Sequence, residues 1–314
     1  MTALLIDTTT ATGAPPAATR RRGGGLWRSV LNSRKAVVGL VILFVFCVLA
    51  VLPQLFTSVR EPNRLQFEPS LAPSGKHWLG TTSLGQDIWA QLVYGTRESL
   101  VIALVAGFFA TVLAVLVGVS AAYLGGIADE LLSLVTNVFL VLPTFPLIIV
   151  LATYAGKGTL LVVLIVLVLT GWSYGANQMR AQTLSLRNRD FLESARVRGE
   201  RRSYIILVEI LPTMTSLIVA NFLGAALYSV LTAAGLQFLG LGDPNSISWG
   251  TMLYWSQNQQ ALQTGMPLWS IAPGLCVALL GVSFALINYA FDEISNPALR
   301  PVRKRRARRA APAA

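Results

Sequence analysis

Leu100 to Tyr123 reads LVIALVAGFFATVLAVLVGVSAAY, 24 residues without a charged side chain. About 20 apolar residues suffice for a helix to cross the hydrocarbon core of a bilayer, so this stretch is read as a membrane span. Five more stretches qualify: 36–56, 132–155, 159–178, 215–241 and 268–291. Backbone polar groups have no partner in lipid unless a helix satisfies them internally. The fold class is therefore an all-α integral membrane protein with six transmembrane helices. The membrane domain occupies 31–300, between a disordered N-terminal tail (1–30) and a basic C-terminal tail (301–314). The apolar run after the first arginines is too long for a cleaved signal peptide and lacks a cleavage site. It is read as a retained first helix.

Composition agrees. The 314 residues are 54% hydrophobic and only 12% charged, where a soluble domain averages about 25% charged. Cys47 and Cys276 both fall within apolar runs and read as packed or lipid-facing thiols rather than a disulfide. His77 is the only histidine, which argues against histidine-ligated metal sites.

The net charge of +11 does not signal nucleic acid, because the basic residues cluster beside spans at 20–35, 180–202 and 300–309. Lys and Arg accumulate on the cytoplasmic side of membrane proteins. With both termini cytoplasmic, 20 of the 25 Lys and Arg lie inside, and Arg60, Arg64, Lys76, Arg97 and Lys157 lie outside. The opposite orientation inverts that ratio.

The first outer loop, 57–99, carries Trp78, Trp89 and Tyr94, residue types that favour the membrane interface. The third, 242–267, carries Trp249, Gly250 and Trp255 and is read as a partner-facing surface. The second is a tight turn at Gly156-Lys157-Gly158. Within the spans, Ala110, Ala114, Gly118 and Ala122 make a small-residue stripe that lets helix backbones approach closely. Pro143 and Pro146 are expected to kink the third helix.

No site for chemistry emerges. The chain has no Gly-x-x-x-x-Gly-Lys-Ser/Thr loop for nucleotide phosphates. Gly171-Trp172-Ser173-Tyr174-Gly175 matches a nucleophile pattern, but it sits at the foot of the fourth helix, with His77 across the membrane. Asp129-Glu130 and Asp292-Glu293 read as solvated or capping carboxylates at helix ends. No charge lies near the middle of a span and no repeat of interrupted helices appears, which disfavours an ion-coupled pump. No catalytic, cofactor-binding or metal-ligating residue is assigned, so any work must be powered elsewhere.

One polar interruption stands out, Asp190 to Pro212, between the fourth and fifth spans. Asp190 is placed as N-cap with Glu193 three residues on, a capping-box spacing. Gly199 suits the left-handed position after the helix, and Arg196 and Arg198 suit its negative pole. Phe191 and Ala195, four apart, are expected to share an apolar face. A self-contained two-turn helix between spans reads as a docking device.

This segment resembles the EAA loop of ABC-importer permeases. Glu193, Ala195, Gly199, Leu211 and Pro212 match in register, Ser194 replaces a small residue, and Glu209 departs from an apolar position. Other segments resemble the C-type permease of dipeptide, oligopeptide and nickel importers: His77-Trp78-Leu79-Gly80-Thr81, Gly85-Gln86-Asp87, Tyr94 to Leu100, Phe238 to Gly242, and Trp249 to Leu253. Asn296-Pro297 with Leu299-Arg300 is a looser match, and Ala233, Tyr289 and Asp292 depart from the subgroup. The resemblance covers about residues 30–300.

The resemblance implies a permease subunit that forms half of a translocation path for peptides in a bacterial plasma membrane. It implies a short cytoplasmic coupling helix between helices 4 and 5, docking through Asp190, Phe191, Glu193, Ser194, Ala195, Arg196, Arg198, Gly199, Leu211 and Pro212. The implied partners are a second homologous permease, two ATP-binding subunits that carry the ATP-Mg, and an external substrate-binding protein at Trp249, Gly250 and Trp255. The alternative is an ATP-independent secondary transporter or channel subunit.

Overall fold

The computed structural model describes residues 33–154 and 159–295, the last four by their backbone alone. The expected tails, the turn at Gly156-Lys157-Gly158 and the Asn296-Pro297 match lie outside the described residues. Those residues form helices without a named strand, and an isolated bridge pairs Thr81 with Asp87. The helices are α1 (Arg34–Val51), α2 (Ile88–Leu124), α3 (Gly126–Val141), α4 (Thr144–Tyr154), α5 (Leu160–Gly171) and α6 (Ser173–Arg187). There follow α7 (Asp190–Val197), α8 (Thr215–Phe238), α9 (Trp249–Asn258) and α10 (Pro267–Ser295).

Five runs are long and apolar enough to span a bilayer: α1, α2, α5 with α6, α8, and α10. The sixth is the pair α3 and α4, bent by 93°. The third span is thus two helices rather than one kinked rod, and it begins at Gly126 rather than at 132. Pro143 is the cause. It disfavours helical backbone at the residue before it, and Leu142 is extended at φ −62, ψ 134. Pro146 bends nothing, because it lies in the first turn of α4, where its missing N–H has no helical partner to lose.

The second span also differs. It begins at Ile88, not at 100, and its 37 residues extend about 55 Å, well beyond the hydrocarbon core. Asp87 starts it by accepting the Ala90 N–H at 2.7 Å, and the same carboxylate lies 2.6 Å from His77 Nδ1. The only histidine is thereby spent on a loop clasp. Trp89 and Tyr94 ride on this helix rather than in a loop, and Trp89 Nε1 donates to the Phe56 carbonyl at 2.9 Å.

Long central α2 packs mainly against α8 and the α5–α6 rod, while α10 closes on α1 and α8. The stripe Ala110, Ala114, Gly118 and Ala122 is buried. Ala114 meets Trp172 and Ala176. A Cβ on Gly118 would lie 2.2 Å from the Ala176 carbonyl oxygen, so only glycine permits that crossing. The stripe is internal packing. Free Cys47 and Cys276 pack, half-buried, against a core that contains Phe46, Trp249, Trp269 and Phe284.

Candidate functional site

Short helix α7 fills the gap between the fourth and fifth spans. Its start differs from the capping-box expectation. Arg189 is the extended N-cap residue, at φ −83 and ψ 142, and its carbonyl accepts the Glu193 N–H at 3.2 Å. Asp190 is therefore already helical and Glu193 falls one place beyond the capping-box position. Both carboxylates still sit in the first turn, beside the positive pole of the helix.

The end is as expected. Gly199 adopts φ +78, a left-handed conformation that costs a residue with a Cβ about 1–2 kcal/mol. Its N–H donates to Arg196 O at 2.9 Å, and the Glu200 N–H reaches Ala195 O at 3.2 Å. These two bonds form a Schellman motif that satisfies carbonyls the helix leaves open. Nothing crowds the Gly199 Cβ position within 4 Å, so the requirement is backbone conformation alone.

The expected apolar face does not form from Phe191 and Ala195. Ala195 turns inward with Leu192, and both are fully buried. They join a cluster with Val119 of α2, Met179 of α6, and Ile205, Ile210 and Met214. Residues three apart share a face as readily as residues four apart, and here the inward pair is 192 and 195. Phe191 and Val197 are exposed, with Asp190, Glu193 and Ser194 also on the open side. So α7 is seated by one side in a cluster shared with the second and fourth spans and the segment leading into the fifth, and presents the other.

Arginines brace this placement. The Arg196 guanidinium lies 5.8 Å from the Tyr123 ring centroid at the end of α2. Arg198 Nη2 lies 3.7 Å from Glu209 and its Nε 3.8 Å from Glu200. Glu209 thus answers Arg198 within the chain. It occupies a π-helical segment, Ile205–Ile210, directly before Leu211 and Pro212. The widened turn relieves the clash that a proline ring makes with the carbonyl four residues earlier. Leu211 is half-buried and Pro212 exposed.

Asp129 is not merely solvated. It pairs with Arg180 of α6 and accepts a hydrogen bond from Ser133 at 3.1 Å. Ser173 lies at the α5–α6 junction midway along the fourth span rather than at its foot, in helix rather than a strand–turn–helix. Among the described residues, no group of three or more His, Cys, Asp or Glu could hold a metal.

At the far end of α2, the segment after α1 closes over the α8–α9 connection, with Asn63 Nδ2 donating to Asn245 O at 2.9 Å. The expected loop at 242–267 contains α9, started by a capping box of Ser248 and Thr251. Trp249 and Gly250 do not form a partner-facing surface. Trp249 is fully buried, donates from Nε1 to Leu92 O at 3.1 Å and meets Phe46 edge-on. A Cβ on Gly250 would lie 2.4 Å from Gln237 Oε1. Trp255 is half-buried and donates to Pro244 O at 3.0 Å.

Residues 114–300 match the family described as the binding-protein-dependent transport system inner membrane component. The chain is 32% identical over 282 residues to the oligopeptide transport system permease protein OppC of Mycobacterium bovis, covering 88% of this chain and 95% of that one. It is 31% identical over 285 residues to the dipeptide transport system permease protein DppC of Alkalihalophilus pseudofirmus, covering 87% and 90%. To OppC of Bacillus subtilis it is 27% identical over 282 residues, covering 88% and 90%. A helical bundle with a keyed two-turn helix, matched along nearly the whole length of these relatives, belongs to the family of binding-protein-dependent transport system inner membrane components.

Proposed function

We propose that this chain is the permease subunit of an ATP-binding-cassette importer for peptides and forms half of the translocation path. The observation that carries the reading is α7. One face joins, through Leu192 and Ala195, a buried cluster with the second and fourth spans and the segment leading into the fifth, and the other is exposed. Such a helix moves with the spans as a lever, which a flexible loop cannot do. Asp190, Phe191, Glu193 and Ser194 form the surface that docks on an ATP-binding subunit. Arg196, Arg198, Gly199, Leu211 and Pro212 hold its angle.

Two ATP-binding subunits, with their ATP-Mg, supply the energy, and this chain supplies no catalysis. A second homologous permease completes the path, and an external binding protein delivers cargo to the end that carries α9. Both termini lie in the cytoplasm of a bacterium, as the distribution of Lys and Arg supports. The peptide names of the relatives support the cargo.

The test is a mild-detergent pull-down of the tagged chain from its host, with mass spectrometry of the accompanying proteins. Recovery of a second permease and ATP-binding proteins, lost when Glu193 is reversed in charge and Gly199 replaced by proline, is expected. Recovery of the chain alone across several detergents, with uptake that survives ATP depletion, overturns the reading in favour of an ATP-independent transporter.

A further inference from the structure

A partly open cavity of about 510 Å³ lies where the third span breaks, between the fourth, fifth and sixth spans. Phe139 and Leu140 border it before the break and Thr144 after it. The amides of Gln178, Asn221 and Asn288 and the hydroxyls of Ser173 and Tyr228 also line it, and none of its lining residues is charged. Asn288 Oδ1 is buried without a hydrogen-bond partner among the described residues.

The glycines of the Gly-x-Ser-x-Gly match explain how the polar wall assembles. Gly171 and Gly175 lie four apart on the α5–α6 rod. A Cβ on Gly171 would meet the Tyr228 ring at 3.2 Å, and one on Gly175 would meet the Asn221 amide at 2.4 Å. Asn221 and Tyr228 are seven apart on α8 and so share one helix face. The two small residues therefore make room for two polar ones. The motif is a packing device, not a nucleophile.

Amides at this depth are costly against lipid, and polar residues inside spans mark pathways or water-filled cavities. A buried acceptor with no partner carries a further cost until a donor reaches it. We infer that this cavity is a substrate-contact wall, in which Gln178, Asn221, Tyr228 and Asn288 hydrogen-bond the main-chain amides of a passing peptide. The inference rests on the importer reading and deepens it. A wall of neutral donors and acceptors holds what every peptide shares and ignores the charge of its side chains. Discrimination among peptides then falls to another component.

The experiment uses the complete complex in lipid vesicles and measures ATP-driven uptake of acidic, neutral and basic tripeptides. Asn221→Leu and Asn288→Leu are expected to slow all three alike, by about tenfold for a lost hydrogen bond. Asn221→Asp is expected to raise the basic-to-acidic uptake ratio at least about threefold over the native complex, because a charge in a low-dielectric site acts strongly on a nearby charge. Native rates and ratios in variants that hydrolyse ATP normally overturn the wall. Absence of ATP-driven uptake by the native complex overturns the importer reading, and the wall with it.

Labelling separates a contact from a defect of assembly. In a chain carrying Cys47→Ala and Cys276→Ala, Asn221→Cys and Asn288→Cys are expected to react with a water-soluble thiol reagent, and excess tripeptide is expected to slow the reaction. No reaction in any nucleotide state shows a dry, packed site and overturns the inference.

Discussion

Arg180 donates two hydrogen bonds to Asp129, from Nε to Oδ1 at 2.6 Å and from Nη2 to Oδ2 at 2.8 Å. This fork joins the first turn of α3 to α6 one residue beyond Met179, which shares a buried cluster with Leu192 of α7. The broken third span is thereby tied to the platform under the exposed helix. Both side chains are partly buried, at 32% and 19% exposure, so the pair is less screened than a surface bridge.

The planar fork, rather than the charge alone, is expected to matter. Arg180→Lys keeps the charge but loses the second bond. It is expected to lower the melting temperature in detergent by a few degrees, nearly as far as Asp129→Asn. A double-mutant cycle checks the pairing: the double substitution is expected to cost less than the sum of the singles. Additive losses would show that the two residues act independently.

The two sides of α7 are expected to fail differently. Leu192→Ala removes a fully buried side chain and is expected to cost about 2–4 kcal/mol of local stability. Hydrogen exchange in α7 reads that loss. Phe191→Ala, on the exposed side, is expected to leave exchange unchanged while weakening capture of the ATP-binding subunit.

Gly199 gives a graded series. Gly199→Ala is expected to cost about 1–2 kcal/mol through its left-handed backbone, and to lower uptake partly at normal expression. Gly199→Pro fixes φ near −65° and removes the N–H that bonds Arg196 O. It is expected to abolish ATP-coupled uptake while the spans stay folded, as judged by circular dichroism and gel filtration.

Trp249 is expected to act on stability, not on docking of a binding protein. Trp249→Ala is expected to cost about 3–5 kcal/mol, as for other large buried aromatics, and to reduce the amount of folded chain. Trp255→Ala, at a half-buried site, is expected to spare folding. Binding-protein affinity measured on folded material tests whether Trp255 belongs to the docking surface.

Much of the framework was legible because lipid imposes it. Runs of apolar residues, the count of spans, the left-handed turn at Gly199 and the small-residue stripe follow from short-range rules. Where expectation and structure part, local chemistry was ambiguous. Phe191 with Ala195 and Leu192 with Ala195 are both allowed helical spacings, and only contact with Met179 and Ile210 selects the second. Trp249 has the composition of an interface residue, yet a tryptophan that fills a core looks the same in sequence. The spacing of Gly171 and Gly175 carried a signal for Asn221 and Tyr228, but it needed the facing helix to be read.

The sequence by itself determined that the chain crosses a membrane, roughly where it does so, and that a short helix interrupts it, because hydrophobic length, capping and proline geometry act within a few residues. Tertiary structure alone decided which side of that helix is buried, and that three amide-bearing and five hydroxyl-bearing residues line one cavity. Those outcomes depend on contacts between residues tens to more than a hundred positions apart. Packing volume and backbone approach settle them, and no local pattern encodes either one.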